Sequence, residues 1–246
     1  MTEPIITDRH KAELNTHGYT LFPNVFTDAD MTALAQSIER LQREHESQVR
    51  DGGGTDGISR ADEITFSDHL AERDPQIAAF ARRPEFVAIC TALLGDDVDL
   101  YWNQSVFKMP EGAKEFPWHQ DDGYTPVSPS PYLTLWLSLN GATPENGTVS
   151  VLPGSHKKGL VAHKSSPIGL VCHDADDPDQ GVPIPVPAGG IAAFWSTTMH
   201  KSGVNTSKDT RKAYILQYSK APLTNLATGE TVDNAIVLTR GGVPVA

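Results

Sequence analysis

Hydrophobic positions in the first third of the chain fall at helical spacing. Met31, Leu34, Ala35, Ile38 and Leu41 recur every three or four residues, the pattern of an amphipathic helix with one buried face. Thr27 stands where an N-cap would, and Asp30 follows where the acid of a capping box would. Gly52-Gly53-Gly54 ends this helix near Asp51. The glycine run lacks the adjacent strand and Gly-Lys pair of a phosphate loop and reads as a flexible connector. Thr7 caps a shorter helix that stops before Gly18, and residues 19–22 form a short strand. Residues 84–94 make a further helix, opened by a proline and closed by Gly95.

After Asp97 the period changes from helical to two. Apolar, β-rich runs cover 100–108, 133–139, 148–152, 182–186, 191–195 and 213–218. Leu133, Leu135, Leu137 and Leu139 alternate with Thr134, Trp136 and Ser138, which predicts a strand with two distinct faces. Asn146-Gly147 is a strong hairpin signal. Many short strands separated by Pro and Gly point to a sandwich or barrel. The chain therefore reads as one mainly β domain spanning 1–246. Its parts are a helical N-terminal section to about 97, a barrel core over about 98–220 and a tail over 221–246.

Composition narrows the function. A net charge of -11 argues against a nucleic-acid surface. No apolar run approaches the roughly 18 residues of a membrane span, and residues 1–14 lack the charged start and apolar core of a signal peptide. Cys90 and Cys172 sit in unlike contexts, with neither a disulfide framework nor a CxxC site between them. A cytoplasmic protein acting on a small molecule, without nucleic-acid or membrane partners, is the expectation.

The chemistry centres on WHQDDGY, residues 118–124. His119 and Asp121 stand at i and i+2, a spacing that brings both side chains to one metal from a strand end. Alone the pair means little, since chance predicts about 0.7 such pairs in a chain of this composition. FWSTTMHKSGVNTSKDTRKAYILQYS changes its weight. There His200 follows the strand run 191–195, with Ser202 two residues on and Arg211 at the start of the next strand. Two histidines and a carboxylate suit a non-heme Fe(II) site with open positions. Arginine is the best fixed, bidentate partner for a distal carboxylate.

These motifs, in this order, resemble the phytanoyl-CoA dioxygenase family of Fe(II)/2-oxoglutarate-dependent oxygenases. HGYTLFPNVF, NQSVFKMPEG leading into WHQD, ENGTVSVLPGSHKKG and HKSGVN…R carry the resemblance from Leu14 to Tyr218. It implies a double-stranded β-helix, or jelly-roll, core of cupin type with N-terminal helices packed on it. It implies that His119, Asp121 and His200 ligate iron, and that Arg211 and Ser202 bind the distal carboxylate of 2-oxoglutarate, with O2 as the second co-substrate. Gln104, Lys108 and Trp136 fall at positions that face the co-substrate. Phe194 matches an aromatic beside the substrate, and Phe116, Trp118 and Tyr124 are expected pocket walls.

The resemblance assigns Asp122 no role. It gives His156, with Gly154, a structural turn. The insertion 160–181 holds His163, His173 and the acidic run 174–179, and is expected to be a solvated loop or part of a lid. The implied reaction is hydroxylation of an unactivated C–H bond of a small soluble metabolite, the carboxylate ligand favouring hydroxylation over halogenation. An acyl-CoA hydroxylase, or desaturation or epoxidation at the same iron, is the alternative. Outside this class stand a zinc enzyme using the same ligands and a non-catalytic binding protein on the same fold. Succinate formation separates the first from an oxygenase, and iron titration with oxygen uptake separates the second.

Overall fold

The computed structural model describes residues 4–110, 114–173, 181–232 and 236–245. Among the described residues, five α-helices precede or flank the sheets: α1 (Asp8–His17), α2 (Asp28–Asp51), α3 (Leu70–Arg73), α4 (Pro75–Ala81) and α5 (Pro84–Leu94). The capping box at the start of α2 is formed. Thr27 Oγ1 accepts from Asp30 N at 3.2 Å, and Asp30 Oδ2 accepts from Thr27 N at 3.0 Å. One face of α2 buries Met31, Leu34, Ile38, Leu41 and Val49. The glycines after α2 make a tight turn in which Gly54 N donates to Val49 O at 2.8 Å.

Ten strands build the core: β1 (Tyr19–Phe22), β2 (Ile64–Asp68), β3 (Val98–Lys108), β4 (Phe116–His119), β5 (Leu133–Ser138), β6 (Val149–Val151), β7 (Val182–Pro183), β8 (Ile191–Trp195), β9 (His200–Ser202) and β10 (Arg211–Lys220). The larger sheet runs β1-β8-β5-β10-β3-β2, extended by Ser59–Arg60, Thr55–Asp56 and Ile236–Arg240. The smaller runs β7-β6-β9-β4. Every pairing in both sheets is antiparallel, and the two sheets do not close on each other. This is the expected jelly-roll.

The alternation in β5 gives its two faces different partners. Leu133, Leu135, Leu137 and, just beyond, Leu139 pack with α2, α4 and α5 residues such as Ile38, Ile77 and Ile89. Thr134 and Trp136 point the other way, between the sheets. Part of that space is filled by Val151, Val186, Ala192 and Ala213 around Trp136 and Phe194. The rest is a cavity. Polar ties also join helix and sheet; among them, Ser105 Oγ donates to the buried Gln42 Oε1 at 2.6 Å.

Two sequence expectations change. Asn146-Gly147 is no hairpin turn, because β5 and β6 lie in different sheets. Asn146 instead closes a 3-10 turn, accepting from Thr143 N at 2.8 Å and donating to Gly141 O at 3.0 Å. Gly147, at φ 80°, lies against the Gly203 carbonyl, where a Cβ would collide. The strand expected over 182–186 shortens to β7 plus a bridge from Val186 to Ala142. Pro183, Pro185 and Pro187 remove every second donor, so the segment serves only as a sheet edge. Sequence patterning also passed over α3, α4, the strands between 55 and 68, and a hairpin of Lys164–Ser166 with Gly169–Val171.

Candidate active site

The paired strands β4 and β9 set the site. His119 sits opposite His200, but the next matched pair is Phe116 with Ser202. Three steps on one strand therefore oppose two on the other, a bulge that re-aims side chains. It puts both Phe116 and His119 toward the cavity, with their rings 4.9 Å apart. Trp118 turns to the far face, where it packs with Leu152 and Met199. The expected pocket wall at Trp118 is therefore absent from the cavity lining.

His119, Asp121 and His200 converge, their ligand atoms all within 4.8 Å of one another. Asp121 Oδ1 lies 3.8 Å from His119 Nε2 and 3.5 Å from His200 Nε2. Each imidazole is oriented from behind. His119 Nδ1 is 2.8 Å from Pro117 O and His200 Nδ1 is 3.0 Å from Thr198 O. A carbonyl only accepts, so Nδ1 carries the proton and Nε2 presents its lone pair to the cavity. Burial, with the neighbouring His200, pushes His119 down to about 3, and burial pushes His200 down to about 4. Both rings are neutral at pH 7, the state that ligates a metal.

Asp121 opens a single 3-10 turn, Asp121–Gly123. Its Oδ2 accepts from Thr134 Oγ1 at 2.6 Å, and burial raises its pKa. Asp122 points away from the cavity, accepts from Ser130 Oγ, and is 2% exposed. Gln120 straps the turn in place. Its amide donates to Gly159 O at 2.8 Å and Thr197 O at 2.6 Å, and its carbonyl accepts from Val161 N at 2.9 Å. His163 Nε2 accepts from Gln120 N at 3.1 Å, so one histidine of the insertion buttresses the turn. Sequence reasoning missed Thr134, although it is the polar member of an otherwise leucine-rich alternation. His156 packs against Gly18, and Gly154 adopts φ 80° before it. The acidic run 174–179 lies outside the described residues.

The cavity holds about 350 Å³. Arg211 lies on its inner wall, 1% exposed. Its guanidinium stands 5.2 Å from the Trp136 ring centre. Among the described residues, Nη1 reaches only Val106 O at 3.3 Å, and Nε has no partner. Burial lowers Arg211 to about 9, which leaves it cationic at pH 7. No carboxylate among the described residues pairs with it. A buried guanidinium without a counter-ion is costly, and a bidentate anionic ligand would relieve that cost.

Ser202, Gln104, Trp136, Phe194, Phe116 and Tyr124 also line the cavity. Lys108 does not. Its ammonium is buried behind Ser202, donating to Ser202 Oγ at 2.9 Å, Ser202 O at 3.1 Å, Lys114 O at 3.2 Å and Gly203 O. The structure thus draws Lys108 toward the Ser202 strand end rather than the open space. Tyr124 stands at the mouth, 40% exposed. Its hydroxyl accepts from Leu170 N at 3.0 Å in the 164–171 hairpin.

The donor set fits the group it would hold. Two neutral imidazoles and one carboxylate on one side of a cavity match a divalent iron with open positions, and the unpaired Arg211 matches a dicarboxylate beside it. The phytanoyl-CoA dioxygenase (PhyH) family model matches residues 14–213. The chain is 25% identical over 234 residues to L-proline trans-4-hydroxylase of Streptomyces griseoviridis, covering 85% of each chain. It is 26% identical over 225 residues to ectoine dioxygenase of Bordetella bronchiseptica, covering 82% of this chain and 71% of that one. Its fold is shared with the non-heme alpha-ketoglutarate-dependent carbocyclase SnoK, with a TM-score of 0.77 and 21% identity over 95% of this chain and 97% of the other.

Proposed function

Because the chain belongs to the phytanoyl-CoA dioxygenase (PhyH) family and is an Fe(II)- and 2-oxoglutarate-dependent dioxygenase, we propose that it hydroxylates a C–H bond of a small metabolite. One observation carries the reading: a two-histidine, one-carboxylate cluster and an unpaired buried arginine share a single cavity. A zinc hydrolase would have no use for Arg211.

In this proposal His119, Asp121 and His200 hold the metal. Arg211 and Ser202 take the distal carboxylate of 2-oxoglutarate. Bound iron supplies the oxidising chemistry, coupling decarboxylation of 2-oxoglutarate by O2 to insertion of oxygen into the substrate. The protein positions the partners. Thr134 fixes the Asp121 carboxylate, and Pro117 O and Thr198 O fix the two rings. Trp136 supports the guanidinium face. Lys108, by tying the Ser202 and Gly203 carbonyls, holds Ser202 where it can share the co-substrate. Tyr124, at 40% the most exposed of the lining residues, marks the mouth through which substrate would enter. The whole chain acts as one catalytic domain.

The relatives' names place proline and ectoine among the molecules they act on, and the small cavity supports a substrate of that scale. An acyl-CoA would have to leave most of its length outside. The test is succinate formation. Protein loaded with iron under anaerobic conditions is mixed with 2-oxoglutarate and candidate metabolites, then exposed to oxygen. Iron-dependent succinate, raised several-fold by one candidate and matched by its oxidised product, supports the reading. Succinate that does not depend on iron rejects it.

A further inference from the structure

We propose that the substrate moiety entering this pocket carries no anionic group and presents a flat ring, aromatic or conjugated, rather than an amino acid, an acyl-CoA or another anion. The inference rests on the preceding assignment of the inner wall to iron and 2-oxoglutarate, and concerns what remains.

Charge decides the first half. The ionisable side chains of the lining are His119, Asp121, His200, Arg211, Lys201 and the tyrosines. The first three form the metal cluster and Arg211 faces the co-substrate. Lys201 is adjacent to His200 on a strand and so points to the other face. Its ammonium is bound by Glu115 at 2.8 Å and lies 5.1 Å from the ring of the outward-facing Trp118. Every charge among the described lining residues is thus committed, and the residues outside the described set include no lysine, arginine or histidine, so no cationic side chain is left for an anion. A carboxylate or phosphate brought into this pocket would lose its hydration without gaining an opposite charge.

Shape and chemistry decide the second half. Two aromatic pairs wall the outer space. Phe66 and Phe116 meet at 5.2 Å, with Phe116 edge-on to His119. Tyr101 and Tyr132 meet at 5.3 Å on the side of Asp121 and Asp122. Trp102 extends the wall toward solvent, and its indole N–H is occupied by Gln104 Oε1 at 3.2 Å. That hydrogen bond turns the Gln104 amide NH2 into the donor left for a ligand carbonyl or hydroxyl. Rings bind rings through edge and face geometry beyond what buried area alone gives. A flexible chain gains no such term and loses rotamer freedom on binding. The 350 Å³ cavity, at the low end of the roughly 300–1,000 Å³ of ligand sites, is shared with a five-carbon dicarboxylate, which limits the space left for the substrate.

Calorimetric titration tests this with 2-naphthol, 1-octanol, proline and octanoyl-CoA as probes. Each is added to the metal-free protein and to the anaerobic complex with Fe(II) and 2-oxoglutarate. The expected result is saturable 2-naphthol binding in both forms, at least tenfold tighter than any of the other three. Trp102→Leu and Phe66→Leu keep an apolar wall without the ring, and each should weaken 2-naphthol at least fivefold while leaving 1-octanol unchanged. Folding of both variants is checked by thermal melting; Tyr132→Leu replaces any that melts early. Tighter binding of proline, 1-octanol or octanoyl-CoA overturns the proposal, as does parental 2-naphthol affinity in the folded variants. Failure of the oxygenase reading would appear separately, as absent iron-dependent consumption of 2-oxoglutarate, and would leave binding to the metal-free protein to be judged on its own.

Discussion

Thr134 Oγ1 donates a 2.6 Å hydrogen bond to Asp121 Oδ2, the carboxylate oxygen turned away from the two imidazoles. The other oxygen, Oδ1, is thereby aimed at the imidazoles, 3.8 Å from His119 Nε2 and 3.5 Å from His200 Nε2. Partners of this kind around a metal site are worth about 10–100-fold in metal affinity. Thr134→Val should weaken Fe(II) or Co(II) binding by that factor, and Thr134→Ser should restore most of it. Anaerobic titration measures both. Unchanged affinity in the valine variant would mean that the carboxylate needs no support.

The Arg211 guanidinium lies over Trp136 with its Nε unpartnered. Lysine keeps the charge but loses the planar fork and the stacking face. Arg211→Lys should therefore raise the KM for 2-oxoglutarate by about 100-fold while the metal affinity stays near the parent's. Trp136→Leu should raise it by a smaller factor. An Arg211→Lys variant with parental KM would remove the guanidinium from co-substrate binding.

Lys108 is fully buried and donates to three backbone carbonyls and the Ser202 hydroxyl. Methionine matches its length and leaves those acceptors without a donor. Lys108→Met should cost roughly 2–4 kcal/mol of stability, read from urea denaturation, and raise the KM for 2-oxoglutarate through the displaced Ser202. A variant as stable as the parent would show that Lys108 carries no structural load there.

Much of this was legible in the residue order. Thr27 with Asp30, the glycine after each early helix, and the leucine alternation of β5 each state a local rule that the fold obeys. The site was legible only in combination. His119 and Asp121 lie close in sequence, but His200 is brought opposite them by the pairing of β4 with β9, which no local pattern declares. The failures have physical causes too. Trp118 shares strand parity with Phe116, yet a one-residue bulge sends it to the outer face. Asn146-Gly147 satisfies a cap between two sheets instead of a hairpin within one. Lys108 finds three of its four acceptors on a segment nearly a hundred residues away. Register, bulges and long-range polar ties depend on tertiary pairing, which periodicity does not encode.

Stability should carry the mark of Asp30. Its carboxyl is pulled from 3.8 down to about 2, first by the Thr27 hydroxyl, then by the Thr27 backbone N–H and Arg83. A depressed carboxylate stabilises the fold above its unfolded value and loses that contribution as pH falls through the folded value. Asp30→Asn should be less stable than the parent at pH 7, with the gap closing between about pH 4 and pH 2. A gap that stays constant over that window would place the effect outside the capping box.

The assignment of metal and co-substrate to separate residues of one cavity is open to a single paired titration. Fe(II) is added anaerobically to the parent, to His200→Ala and to Arg211→Lys, followed by 2-oxoglutarate. The parent should take one equivalent of each. His200→Ala should lose the iron, and with it the tight 2-oxoglutarate. Arg211→Lys should keep the iron and lose the 2-oxoglutarate alone. If both variants bind both partners as the parent does, the cavity is not the iron and 2-oxoglutarate site.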